Sequence, residues 1–363
     1  MIRILLSLTL ACSALLCADT SISLPEFVRL MSSLSETEGY FDTDNLVSNE
    51  RAYLKILPEL RRQNVSGGAY VGVGPDQNYS YIASLKPRIA VIVDIRRKNA
   101  LQHLYFKALF KLSSNRSQYL ERLFGRRVQP PVGDPKGEGI SRLLRAIDAS
   151  SPDKSFANEK LAEAIREVSS WGCELSAGDL ESIRDIAGAF IANGPDLKFS
   201  SYYRPPRSYY PSYRQLLEET DADGEQANFL ASEESFLLIR KMQSENRIIP
   251  VVGDLAGDHA LLQTGEELRR RGIKVTCLYV SNVEYYLFGG QSWSAYVRNI
   301  GKLPLDSNAF LIRSYAQYRR PAATPGYYMG TIVQPVGQFL ADETVGKNTS
   351  YWSLIPTQSP VQR

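Results

Sequence analysis

Four short apolar runs in this sequence each end in polar residues able to hold or transform a ligand. Ala69–Val73 leads into Gly72-Val73-Gly74-Pro75-Asp76-Gln77-Asn78. Ile89–Val93 (IAVIV) ends in Asp94-Ile95-Arg96-Arg97. Ile248–Val252 ends in Gly253-Asp254, and Val275–Val280 in Ser281-Asn282-Val283-Glu284. Gly72 and Gly74 permit a tight turn and close backbone approach to a ligand, with the free N–H groups of the next helix, Asp76 and Asn78 beside it. Asp94 stands 20 residues after Gly74, where an acid can accept hydrogen bonds from ribose hydroxyls. The dinucleotide fingerprint is broken, because Gln77 replaces the third glycine. Asp76 near the helix start also repels a pyrophosphate, which argues against NAD and FAD.

Asp254, Glu284 and His103 are the candidates for moving protons. Each has a plainer reading. Asp254, Asp258 and His259 surround a strand-to-helix turn, where Asp258 fits a helix cap. His103, in LQHLYF, fits a half-buried structural histidine. Glu50, Ser281, Asn282 and Arg313 are the candidates for holding substrate, and Arg96 for an anionic group, with a solvated helix start as its alternative. Glu50, Asp94, Asp254 and Glu284 together would make an oxygen-rich Mg²⁺ or Ca²⁺ site, although spacing alone gives no convergence and no metal is assigned. Ser281 lacks a Gly-x-Ser-x-Gly elbow, so a hydrolase triad has little support.

These residues need a parallel sheet to bring them together, since ligands sit beyond the carboxyl ends of such strands where the winding reverses. The β-branched run IAVIV fits a strand covered on both faces. Helical spacing over Gln77–Leu85 and Asn99–Leu112 makes strand-helix-strand-helix, a right-handed parallel unit. The rhythm resumes at 234 with a helix, the strands 248–252 and 275–280, and a helix over 258–271 closed by Gly272. Ala309–Ser314 and Tyr328–Gln334, with no helix between them, fit an antiparallel hairpin at a sheet edge. The expected fold is α/β, a doubly wound, mostly parallel sheet with a C-terminal antiparallel hairpin and a large helical insertion. The divisions are 1–18, an N-terminal helical segment 19–66, a first half 67–112, an insertion 113–245, a second half 246–345 and a polar tail 346–363 with little to bury.

Within the insertion, Ser200–Tyr213 reads SSYYRPPRSYYPSY, with five Tyr and three Pro in 14 residues. That composition excludes a helix or central strand. It fits an irregular loop pinned by aromatic packing, or a recognition lid for a planar or sugar-like ligand.

Composition bounds the function. Lys and Arg number 42 against 39 Asp and Glu, a net charge of +3 over 363 residues, which gives no case for nucleic acid. Two His and four Cys leave little material for a zinc site. Met1–Ala18 has a basic start at Arg3, an apolar run of about 13 residues and small residues before Asp19, the form of a secretory signal peptide. The expectation is an exported protein, periplasmic or secreted, with no stable membrane span after cleavage; a buried N-terminal helix is the alternative. Cys12 and Cys17 lack a clean lipoprotein box. Cys173 and Cys277 fit either a disulfide or a buried thiol in the 275–280 strand.

Gly72-Val73-Gly74, with Asp94 at the end of the second strand and the late strand pair, resembles the Rossmann fold of class I S-adenosylmethionine-dependent methyltransferases over about 135 residues. The wider sequence, including YVGVGPDQNYSYIASLKPRIAVIVDIRR and IIPVVGDLAGDHALL, resembles a group of uncharacterised exported bacterial proteins. The resemblance implies S-adenosylmethionine as cofactor, Gly72 and Gly74 in its loop and Asp94 as the ribose acid. Export argues against that cofactor, which is made in the cytoplasm. No Asn-Pro-Pro-Tyr follows 248–252; Gly253-Asp254-Leu255 stands there instead. The leading expectation is a methyltransferase-like domain that binds a small polar ligand. The alternatives are a genuine methyltransferase and a non-catalytic module for a protein or glycan; no protein partner is indicated.

Overall fold

The computed structural model describes residues 21–128, 139–205, 207–317 and 326–355. The proposed signal, residues 1–18, lies outside them, as do Pro206 and the end of the tail. The chain enters through α1 (Leu24–Leu34), a short 3₁₀ turn (Arg51–Ile56) and α2 (Leu57–Arg62). Then come β1 (Ala69–Gly72), α3 (Gln77–Leu85), β2 (Ile89–Asp94) and α4 (Arg97–Leu112). Six helices follow without a strand of the sheet: α5 (Arg116–Phe124), α6 (Ile140–Ala149), α7 (Lys154–Ser169), α8 (Ala177–Asn193), α9 (Tyr213–Leu217) and α10 (Glu233–Ser244). The sheet resumes with β3 (Ile248–Val252), α11 (Ala260–Arg270), β4 (Val275–Tyr279), α12 (Val283–Leu287) and α13 (Gln291–Gly301). It finishes with β5 (Leu305–Ala316), β6 (Met329–Pro335) and α14 (Val336–Thr344).

The strands order as β3-β2-β1-β4-β5-β6. The first five run parallel, and β6 returns antiparallel to β5, with Ile312 opposite Val333. The fold is thus a doubly wound, mostly parallel sheet with a C-terminal hairpin and a large helical insertion. Winding reverses between β1 and β4, which opens a crevice at their carboxyl ends. Every residue of β1, β2 and β3 is buried, as expected for strands covered on both faces. Pro250 has no N–H to give a second neighbour and sits on edge strand β3. The N-terminal chain shields that edge: Glu36 N–H donates to Val252 O (2.9 Å) and Val252 N–H to Ser35 Oγ (3.0 Å).

The insertion is explained by α4, which is buried continuously from Asn99 to Phe110. A helix with no solvated face needs cover on all sides. The sheet covers one side, and α7, α8 and α10 pack on the others. One continuous core joins insertion and sheet.

Two expectations change, and one open alternative closes. Residues 35–50 are extended rather than helical, because short polar side chains turn back on their own backbone. Asp44 Oδ1 accepts from Leu46 N–H (3.4 Å) and Ser48 Oγ from Glu50 N–H (3.0 Å). The tail is not free of the core: Tyr351, Leu354 and Ile355 are buried, and Tyr351 Oη donates to Ser314 O (3.2 Å). Cys173 and Cys277 are both free thiols, Cys277 buried within β4. Among the described residues no helix is long and apolar enough to cross a membrane.

Candidate functional site

At the carboxyl ends of β1, β2, β3 and β4 lies a cleft of about 210 Å³. Gly74, Asp94, Asp254, Ser281 and Asn282 all line it, so four strand ends distant in sequence meet on one rim. The extended N-terminal segment forms a second wall through Phe41, Asn45 and Glu50, and the Tyr/Pro loop a third through Arg204 and Tyr210. That loop is pinned beside the cleft by bridges from Thr43 to Ser201 and Lys198 to Ser212, and by an Arg204–Asp42 ion pair at 2.7 Å.

Glu50 forms the floor. It is 1 % exposed, yet the groups around it are hydroxyls rather than cations. Tyr279 Oη at the end of β4 donates to Oε2 (2.5 Å), as does Ser314 Oγ on β5 (2.6 Å), while Ser281 Oγ donates to Oε1. Burial raises the Glu50 carboxyl above its ordinary range, against the pull of these three donors. Gln77 Nε2 donates to the Tyr279 hydroxyl (2.7 Å), which leaves Gln77 Oε1 buried with no hydrogen-bond partner. Ser281 is held at φ +52° and Asn45 at φ +47°; a non-glycine residue in the left-handed region stores strain that surrounding structure must impose. Gly74, at φ +80°, needs its glycine for the same turn.

The chain matches a family described as a domain of unknown function, DUF7790, over residues 45–129 and 177–359. The chain belongs to the DUF7790 family. The DUF7790 match carries all six strands and every strand-end residue of the cleft, and it passes over α6 and α7. No curated protein matches the chain.

Several sequence-derived assignments in this DUF7790 chain change once side chains are placed. Asp94 reaches the cleft but is gripped by Arg96, Nε to Oδ1 at 2.9 Å and Nη2 to Oδ2 at 2.7 Å; each neutralises the other, and Arg96 also donates to Thr43 O (3.1 Å). Neither is the free ribose acid or anion clamp expected. Gly72 is required by packing, since a Cβ there would stand 2.1 Å from Asn78 Oδ1. Asn78 is fully buried as a brace: Nδ2 donates to Val73 O (2.8 Å) and Pro75 O (2.7 Å), and Oδ1 accepts from Tyr70 Oη (2.7 Å). His103 supports the same loop from behind. Its Nε2–H donates to Gly74 O (2.9 Å), so Nδ1 accepts from Tyr79 Oη (2.7 Å). Burial pushes its pKa down to about 4, so it is neutral and positions Gly74 instead of moving protons.

Glu284 and Arg313 leave the site altogether. Both are buried and paired, with Arg313 Nε to Glu284 Oε2 at 2.5 Å and Tyr296 Oη donating to Glu284 (3.0 Å). Asp254 stays at the cleft, its Oδ1 accepting from Ala256 N–H (2.8 Å). Asp258 makes no cap; α11 starts from His259 without a side-chain cap, and Glu36 accepts from Ala260 N–H instead (3.2 Å). Among the described residues no group of three His, Cys, Asp or Glu stands ready to hold a metal. Gln77 as a ligand group, Tyr279 and Ser314 are site residues beyond those expected from the sequence. The last two were signalled by polar side chains near the ends of apolar strands.

Asp76 faces the core instead of the cleft, where Tyr213 Oη donates to it. Burial raises its pKa from 3.8 to about 7. The unfolded chain releases this proton near pH 4 and the folded chain near 7, so stability falls as pH rises across that window and levels above it. Asp76→Asn, which mimics the protonated acid, should remove on the order of 2–3 kcal/mol of stability loss between pH 5 and pH 8. Urea unfolding at the two pH values checks this; parallel losses in wild type and variant would contradict it.

Proposed function

We propose that this chain binds a small polar ligand, rich in hydroxyl or amino donors, at the carboxyl ends of its parallel strands. The observation that carries the reading is the floor of the cleft. A buried acid without a cation, Glu50, is joined through the Tyr279 hydroxyl to Gln77, whose Oε1 has no partner. Buried polar groups cost free energy unless paired; three hydroxyls already serve Glu50, so it is the unpaired Gln77 Oε1 that calls for a donor from the occupant. Asp254 and Asn282 add acceptors at the rim, while Arg96 and Arg204 are committed to Asp94 and Asp42. Phe41 and Tyr286, packed edge to face at 4.9 Å, offer an aromatic wall for the rest of the ligand.

Thermal unfolding against a panel of nucleosides, sugars and amines tests the reading. A ligand at one hundred times its Kd stabilises by about 2.7 kcal/mol. The expected result is a shift in wild type that Asn282→Ala reduces; a ligand that shifts both equally binds elsewhere.

The second reading is an S-adenosylmethionine-dependent methyltransferase. It is favoured by the strand order, the left-handed Gly74 and an acid at the end of β2. The closed Asp94–Arg96 pair counts against it. No thermal shift at millimolar S-adenosylmethionine would remove it. Residues 1–18 support export to the periplasm or medium; in an exported protein that cofactor is scarce, which favours the first reading.

A further inference from the structure

A second cleft, also about 210 Å³, opens beside the first. The two share Asn49 and Tyr210, so the Tyr/Pro loop stands between them as a partition. Each is smaller than the roughly 300–1,000 Å³ of a site for a drug-sized ligand. Two adjoining compartments of this size suit a chain of small units better than one large molecule.

The lining of the second cleft indicates what those units are. Tyr209 stacks face to face on Tyr328, centroids 3.7 Å apart, and remains 42 % exposed. Tyr327 lies beside them, with the Arg51 guanidinium 5.3 Å from its ring centre. Asn49, Ser208 and Gln215 also line the cleft and add hydrogen-bonding side chains. Arg51 brings a cation to the lining, and Glu219 meets it at 2.7 Å while also holding Lys55 at 3.1 Å. A cleft of tyrosine rings and amide side chains complements a molecule with apolar C–H faces and hydroxyl edges. A phosphate or an acidic peptide would have to compete with Glu219 for Arg51.

We propose that the second cleft is a subsite for a neutral saccharide, and that the ligand is an oligosaccharide running from the Glu50 floor past Tyr210 to the Tyr209–Tyr328 stack. This rests on the reading of the first cleft given above and names its ligand class.

Isothermal titration of the full mature chain with β-1,4-linked glucose and N-acetylglucosamine oligomers of one to six units tests it. Affinity for at least one series should rise tenfold or more from one unit to four. Tyr209→Ala should erase that gain while leaving binding of the single unit unchanged, and Tyr209→Phe should keep it. Tyr209 lies in an exposed loop, so neither change threatens folding. Binding that depends on Glu50 but not on length would overturn the second subsite and leave the first cleft standing. No binding of either series, or saturation by a neutral tripeptide instead, would overturn the saccharide class.

Discussion

Arg313→Ala is expected to destabilise the protein by about 3–5 kcal/mol, the cost of leaving a buried carboxylate without its counter-charge. Arg313 is fully buried on β5, and Glu284 is equally buried at the start of α12. Removing the guanidinium strands Glu284 with only the Tyr296 hydroxyl for company. It also removes the donor to Gln334 on β6 and the cation 5.4 Å from the Phe339 ring on α14. The pair therefore ties the hairpin edge of the sheet to two helices. Replacing both members by apolar residues, Arg313→Met with Glu284→Leu, should recover most of the loss, since neither charge then needs solvation. Urea midpoints of the three variants decide the matter. A single-variant loss below about 1 kcal/mol would mean that water reaches Glu284.

Glu50→Gln should move stability and binding in opposite directions. Glutamine keeps one acceptor oxygen, for Tyr279 and Ser314 on one side or for Ser281 on the other, the hydroxyls that face its NH2 can turn to accept, and it carries no charge to bury. Burial holds the Glu50 pKa above its unfolded value, so the wild type loses stability as pH rises through the folded pKa. The variant escapes that loss and should melt higher than wild type at pH 8. Ligand affinity should fall by about 10–100-fold, the weight of a hydrogen bond to a charged group. A protein that gains stability when a residue at its floor is neutralised is holding that residue for another purpose. If Glu50→Gln melts lower at pH 8 and binds normally, Glu50 is a structural acid.

The strands were readable in the sequence because buried parallel strands carry a local signal: IAVIV is an unbroken apolar run and VTCLYV an apolar run interrupted only by Thr276. The meeting of Gly74, Asp94, Asp254 and Asn282 was readable for a related reason, since topology alone carries strand ends to one rim. Side-chain direction was not. Asp76 and Asn78 stand two and four residues after Gly74, yet one turns to Tyr213 from the insertion and the other folds back on its own loop. Glu284 looked like a cleft acid because its neighbours Ser281 and Asn282 are there. Two residues past Asn282, at the second position of α12, Glu284 turns to the core, and its partner Arg313 lies on another strand. The burial of α4 hid the role of the insertion, since a sequence pattern shows that a helix needs cover but not which segment supplies it.

If the strand-end cleft is occupied in use and Glu50 holds the occupant, native mass spectrometry of the protein gently purified from the cells that make it, wild type beside Glu50→Gln, will show it. The expected spectrum has a small non-covalent adduct on the wild type that is absent or sharply reduced on the folded variant. An adduct retained equally by both proteins would contradict it, as would a wild type that carries its own mass and nothing more.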